Sequence, residues 1–207
     1  MPAPLVRRFR VTPDAKLKGK LDEEARIHSV PAAVTTKGMY LADLAARAGA
    51  EEARAIWPKL REVPRNNHYI GFHDYPFADA LRWLHAVARK EHPDDSLPEG
   101  LRLIGRDTVR VFLASKVGRV VRGMVKGARP SLLRLPAMWQ ITDPWSRASA
   151  AVLDDGGVRF EVQGFPGWID CGLIGTIEQV AMNQGGKPVI DVELEGPMNG
   201  VFVVSGV

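Results

Sequence analysis

A chain of 207 residues, 45% of them apolar and 25% charged, has the balance of one soluble globular domain with a sizeable core. No apolar run approaches the roughly 20 residues a membrane helix needs, and the N-terminus lacks the apolar stretch of a secretory signal, so the expected location is cytoplasmic. The single cysteine, Cys171, excludes an intramolecular disulfide framework and any zinc centre built on several thiolates.

Residues 1–25 are rich in Lys, Arg and Pro and read as a loosely held basic arm, with room for a short strand at LVRRFRVT. Residues 26–207 read as a single domain. In VTTKGMYLADLAARAG, Met39, Leu41, Leu44 and Ala48 recur at helical spacing, and Gly49 is a natural stop. AEEARAIWPKL is a second short helix ending near Pro58. A third helix starts at about Pro76, with Phe77, Leu81, Leu84 and Ala88 on one apolar face. SLPEGLRLIGRDTVRVFLAS opens with a capping box between Ser96 and Glu99, and Gly105 on its buried face allows a neighbouring helix to approach. Further helical stretches run through KVGRVVRGMVKG and PSLLRLPAMWQI, the latter kinked or broken near Pro136.

After Trp145 the period becomes alternating. RASAAVLDDGGVRFEVQGF is a hairpin with Val158, Phe160 and Val162 on one face. WIDCGLIGTIEQVAMNQGG is a helix burying Ile169, Leu173, Ile177 and Val180, and KPVIDVELEG and GVFVVSGV close the chain as strands. The expected class is α+β, an antiparallel sheet packed against several helices.

HDYPFADALRWLHAVA, GRDTVRVFLASKVGRVV, LRLPAMWQ and GLIGTIEQVAMNQGGKPVIDVELEG together resemble a domain of unknown function expanded as paralogues in myxobacteria, over residues 28–207. The last third also resembles 4-vinyl reductase-type sensor domains, and through them the Bet-type subunits of the TRAPP tethering complex and the haem nitric-oxide-binding domains. The resemblance implies a TRAPP/haem-NO-binding-like fold, homodimers, and an interior that holds an apolar small molecule or a cofactor. It implies a sensing module rather than an enzyme.

Four of the five histidines fall within residues 66–93. On the helix from Pro76, His85 and His92 lie on the flank of the apolar stripe, about 10.5 Å apart at ~1.5 Å per residue. One metal ion cannot bridge that span, so no metal site is expected. Haem needs only one axial histidine, and His85 is the candidate. The Tyr-x-Ser-x-Arg motif that holds haem propionates in the nitric-oxide-binding group follows none of Tyr40, Tyr69 or Tyr75, so the expectation is that no cofactor is required, with haem on His85 as the alternative.

Nine basic residues stand against two acidic ones between Ser96 and Arg134, although the net charge of the whole chain is only +4. Arg102, Arg106 and Arg110 share a helical face, and Arg119, Arg122 and Lys126 repeat the pattern. Such a basic face suits an acidic protein partner, and the lack of interleaved aromatics disfavours nucleic acid. Trp83, Trp139, Phe160 and Leu173 are candidates to line an apolar ligand pocket. Cys171 reads as a small buried hydrophobe. No Gly-x-Ser-x-Gly, Walker A or His-Glu-x-x-His motif occurs, and no catalytic set is identified. The sequence therefore points to a non-enzymatic module that binds or senses an apolar small molecule in bacterial signalling. The alternative is an interaction scaffold that docks through its basic face.

Overall fold

The computed structural model describes residues 6–116, 118–120 and 125–207. In chain order the elements are β1 (Arg7–Val11), α1 (Glu23–Ser29), β2 (Thr35–Lys37), α2 (Gly38–Ile56), β3 (Asp74–Pro76), α3 (Phe77–Glu91), α4 (Leu97–Ala114), α5 (Ala128–Thr142), β4 (Arg147–Val152), β5 (Val158–Gln163), α6 (Gly172–Met182), β6 (Val189–Leu194) and β7 (Gly200–Ser205). The helix expected through KVGRVVRGMVKG lies partly outside the described residues, and Arg122 with it.

Five strands form an antiparallel sheet in the order β1-β6-β7-β5-β4, and β2 pairs with β3 separately. The fold is the expected α+β arrangement. Alternation along the strands decides its polarity: Val158, Phe160 and Val162 of β5 and Phe202 and Val204 of β7 are buried, with outward residues between them. Against that face pack α5 and α6, giving one core of Leu132, Ile174, Ile177, Phe160 and Phe202 among others. A second core gathers Leu41, Leu44, Leu81, Trp83, Val87 and Ile104 from α2, α3 and α4.

Helix boundaries follow local chemistry. Gly49, at φ +82°, breaks α2 into the two segments foreseen, a conformation an L side chain adopts only under strain. The Ser96 hydroxyl accepts from the Glu99 amide at 3.4 Å, but the Glu99 carboxylate does not return to complete the capping box. It accepts instead from the amide of Leu17 at 2.8 Å and pairs with Arg102 at 3.3 Å.

That difference exposes a larger one. The described part of the N-terminal arm is tied down between Arg7 and Leu17, and the short strand for which the sequence left room forms there. β1 is the edge strand beside β6, in register from Arg7 opposite Leu194 to Val11 opposite Ile190. Residues 12–17 then cross α4 as a strap. Arg102 donates to the carbonyls of Thr12 and Ala15, Arg106 to that of Pro13, and Ser96 to that of Leu17.

Candidate ligand cavity

Helices α4 and α6 cross at glycines. A Cβ on Gly105 would strike the Gly172 carbonyl, and one on Gly175 would strike the Arg102 carbonyl, so the two backbones touch. Beside this crossing, between the two cores, lies a cavity of about 650 Å³, within the size range of small-molecule sites. Tyr40 and Leu44 of α2, Phe77 and Leu84 of α3, Val109 and Phe112 of α4, Leu135 and Trp139 of α5, and Leu173 and Val180 of α6 line it, with Trp168 from the preceding loop. The wall is mostly apolar because each of these helices turns the flank of its buried stripe toward it.

Of the four aromatic and aliphatic pocket candidates, Trp139 and Leu173 line the cavity. Phe160 does not: it stands behind Trp139, ring centroids 6.0 Å apart, in the sheet core. Trp83 is fully buried in the other core, where its indole donates to the Tyr69 hydroxyl at 2.8 Å. Alternation puts Phe160 on the inward face but not next to a void, and periodicity alone does not separate those two environments.

His85 is 2% exposed, further in than the rim position its helical angle suggests. Its Nε2 accepts from Trp168 Nε1 at 2.8 Å, and its Nδ1 lies 3.1 Å from the Glu23 carboxylate. The Trp168 donor requires an unprotonated Nε2, so the imidazole is neutral with its proton on Nδ1. Burial, reinforced by Arg89 and Arg82, lowers the His85 pKa to about 3. Both ring nitrogens are engaged, and among the described residues no histidine lines the cavity. An axial bond from His85 to haem does not fit this arrangement. The cavity wall does carry side chains of other types that haem iron accepts, Tyr40 and Met138.

The basic face is corrected as well. Arg102 is wholly buried, held bidentate by Glu178 of α6, and Arg106 shares the same carboxylate at 3.1 Å. These two cations tie α4 to α6 and to the strap and offer nothing to an external partner. Arg110, Arg119 and Lys126 are exposed. The buried network escaped the sequence reading, but one signal pointed to it: Glu178 is the lone charge in GLIGTIEQVA and falls next to Ile177 on its apolar side. An acid at a helical core position needs a buried cation opposite it. Cys171 is completely buried, which pushes its thiol pKa up and leaves it inert.

Among the described residues no group of His, Cys, Asp and Glu side chains has a geometry that holds a metal ion, and no helix is long and apolar enough to cross a membrane. No curated protein matches the sequence. Solved structures match the fold closely. An H-NOX protein from S. oneidensis in the Fe(II)NO ligation state aligns at TM-score 0.64 and 10% identity, over 82% of this chain and 98% of that one. The Fe(II) unliganded H-NOX protein from K. algicida aligns at TM-score 0.62 and 14% identity, over 81% and 95%. An oxygen-binding H-NOX domain related to soluble guanylate cyclases, in its oxygen complex, aligns at TM-score 0.56 and 12% identity, over 82% and 95%.

These neighbours contradict the expectation that no cofactor is required, since proteins that share the fold are described in Fe(II) ligation states. The size and apolar lining of the cavity fit a prosthetic group such as haem, whereas His85 does not fit as its ligand. The model of the family described as protein of unknown function (DUF2378) matches residues 31–193, and the chain belongs to that family.

Proposed function

We propose that this chain is a sensing module whose cavity holds an apolar small molecule or prosthetic group and passes its occupancy to a signalling partner, without covalent chemistry. The observation that carries the reading is the 650 Å³ apolar cavity between two separately packed cores. A cleft of that size with a mostly apolar wall has the dimensions of a small-molecule site. The H-NOX proteins with the same fold support it, one described in an Fe(II)NO ligation state and another as oxygen-binding. The scaffold reading is weakened, because Arg102 is buried and Arg106 is paired with Glu178.

The test is the ultraviolet–visible spectrum of the protein as purified, with mass spectrometry of an organic extract from the denatured sample. A stoichiometric apolar molecule is the expected result. A Soret band would identify that molecule as haem and send the search for its ligand to Tyr40 and Met138, by Phe and Leu substitution. A featureless spectrum and an empty extract, with no apolar additive raising the melting temperature, would overturn the proposal.

A further inference from the structure

One stretch of the chain is free of acids. Between Asp107 and Asp143 stand seven Lys and Arg residues and no Asp or Glu. Lys116, Arg119, Lys126 and Arg134 among them are exposed. Among the described residues no carboxylate lies within ion-pair distance of these four. On the outer face of the sheet, by contrast, Arg8, Arg10 and Arg159 are paired with Glu193, Asp191 and Glu161.

The same stretch borders the mouth of the cavity. Of the described residues that line it, Arg110, Ala114 and Asn183 are the exposed ones, so it opens at the C-terminal ends of α4 and α6. Gly118 is buried where a Cβ would strike the Phe112 carbonyl, which brings its neighbours back against the end of α4. Arg119 donates to the Ala114 carbonyl at 2.8 Å, and Lys126 follows Val125, a wall residue. Asp43 and Asp107, beside Arg110, are held by Arg47 at 3.3 and 2.7 Å. Val120, next to Arg119, is 64% exposed.

Unpaired cations, an exposed valine and an apolar opening together match the chemistry of a bilayer. Anionic head groups attract a nearby Lys or Arg by about 1 kcal/mol each, and apolar side chains enter the acyl boundary. Nucleic acid would call for exposed aromatics, whereas Phe112 and Trp139, the aromatics of this stretch, line the cavity. We propose that this end of the molecule docks on an anionic membrane, with the mouth of the cavity against the lipid. The inference goes beyond the sensing reading by naming where an apolar occupant is met.

Sedimentation with lipid vesicles tests it on the full chain. Vesicles of phosphatidylcholine with about 30 mol% phosphatidylglycerol should bring the protein down at about 100 mM NaCl, and vesicles of phosphatidylcholine alone should not. Replacing Lys116, Arg119 and Lys126 together with Gln should weaken binding about a hundredfold, at about 1 kcal/mol per cation. Gln at Arg54, Lys59 and Arg65, exposed cations interleaved with Glu51, Glu52 and Glu62, removes the same charge elsewhere and should change little. Val120→Ser should weaken binding about fivefold, as the loss of about 1 kcal/mol of apolar burial dictates. If a variant fails to fold, the lipid series on the native protein decides. Equal binding to neutral vesicles, no binding to anionic ones, or an equal loss in both triple variants overturns the proposal. So does binding to polyglutamate but not to vesicles, which would identify an acidic protein as the partner. None of these outcomes bears on the organic extract, so the docking and the sensing reading fail separately.

Discussion

Two buried polar clusters show what single residues contribute. His85 sits between Trp168 and Glu23, and its pKa is lowered from 6.5 to about 3 because burial disfavours the imidazolium. A base whose folded pKa is depressed stabilises the fold above its unfolded pKa, and that contribution is lost as pH falls toward the folded value. Urea denaturation of the native protein and of His85→Gln should therefore differ most near neutral pH. The gap should close between about pH 6.5 and pH 3, as only the native chain must carry a proton into the core. A gap that stays constant would mean the imidazole is not held neutral. The Arg102–Glu178 pair is a sharper case, both side chains having no exposure. Removing one partner strands the other charge, so Glu178→Gln should cost about 3–5 kcal/mol by urea denaturation. Replacing both with Met should recover much of that loss. It would also leave the Thr12 and Ala15 carbonyls without Arg102, so amide exchange across residues 7–17 should rise in the double variant even where global stability returns.

At the scale of elements, the α4–α6 crossing brings two backbones into contact, and glycine is what permits it. Gly175→Ala would press a methyl group into the Arg102 carbonyl, backbone against backbone, where no rotamer change relieves the overlap. Overpacking of this kind costs roughly 1–3 kcal/mol or more. Gly185→Ala is the matched control, because Gly185 has φ +83° and open space around its Cα. It should lose only the strain of a left-handed residue, about 1 kcal/mol. Thermal melts of the two variants should rank them in that order, and equal losses would deny a close crossing. The sequence made this crossing half legible. Gly105 on an apolar face announced a close neighbour, and GLIGTIEQV announced a helix with small residues, but neither named the other as partner. The arm illustrates the opposite limit. Residues 12–17 look unstructured in sequence because their order comes from hydrogen bonds to Arg102, Arg106 and Glu99, more than 80 residues away in the chain, and local periodicity carries no trace of such contacts.

For the whole molecule the decisive fact is that the two cores do not merge. Each was legible as apolar faces at spacings of two or about 3.6, since burial writes itself into period. The space between them was not, because a wall residue and a core residue are both simply apolar. That is why Trp139 and Leu173 were placed on the cavity but Phe160 and Trp83 were expected there too. The void has a thermodynamic consequence. Whatever occupies it binds the folded chain and not the unfolded one, so it stabilises by mass action, about 2.7 kcal/mol at a hundredfold excess over Kd. Protein stripped by unfolding in denaturant and refolded should melt several degrees below protein as purified, and adding back the organic extract should restore the difference. Ala80, 4% exposed and on the cavity wall, provides the complementary variant. Ala80→Leu fills part of the space, so stripped Ala80→Leu should melt above stripped native protein by an amount equivalent to about 0.5–2 kcal/mol. It should respond less to the extract. If the substitution lowers the melting temperature and the extract still acts in full, the cavity closes on itself in solution and the ligand binds elsewhere.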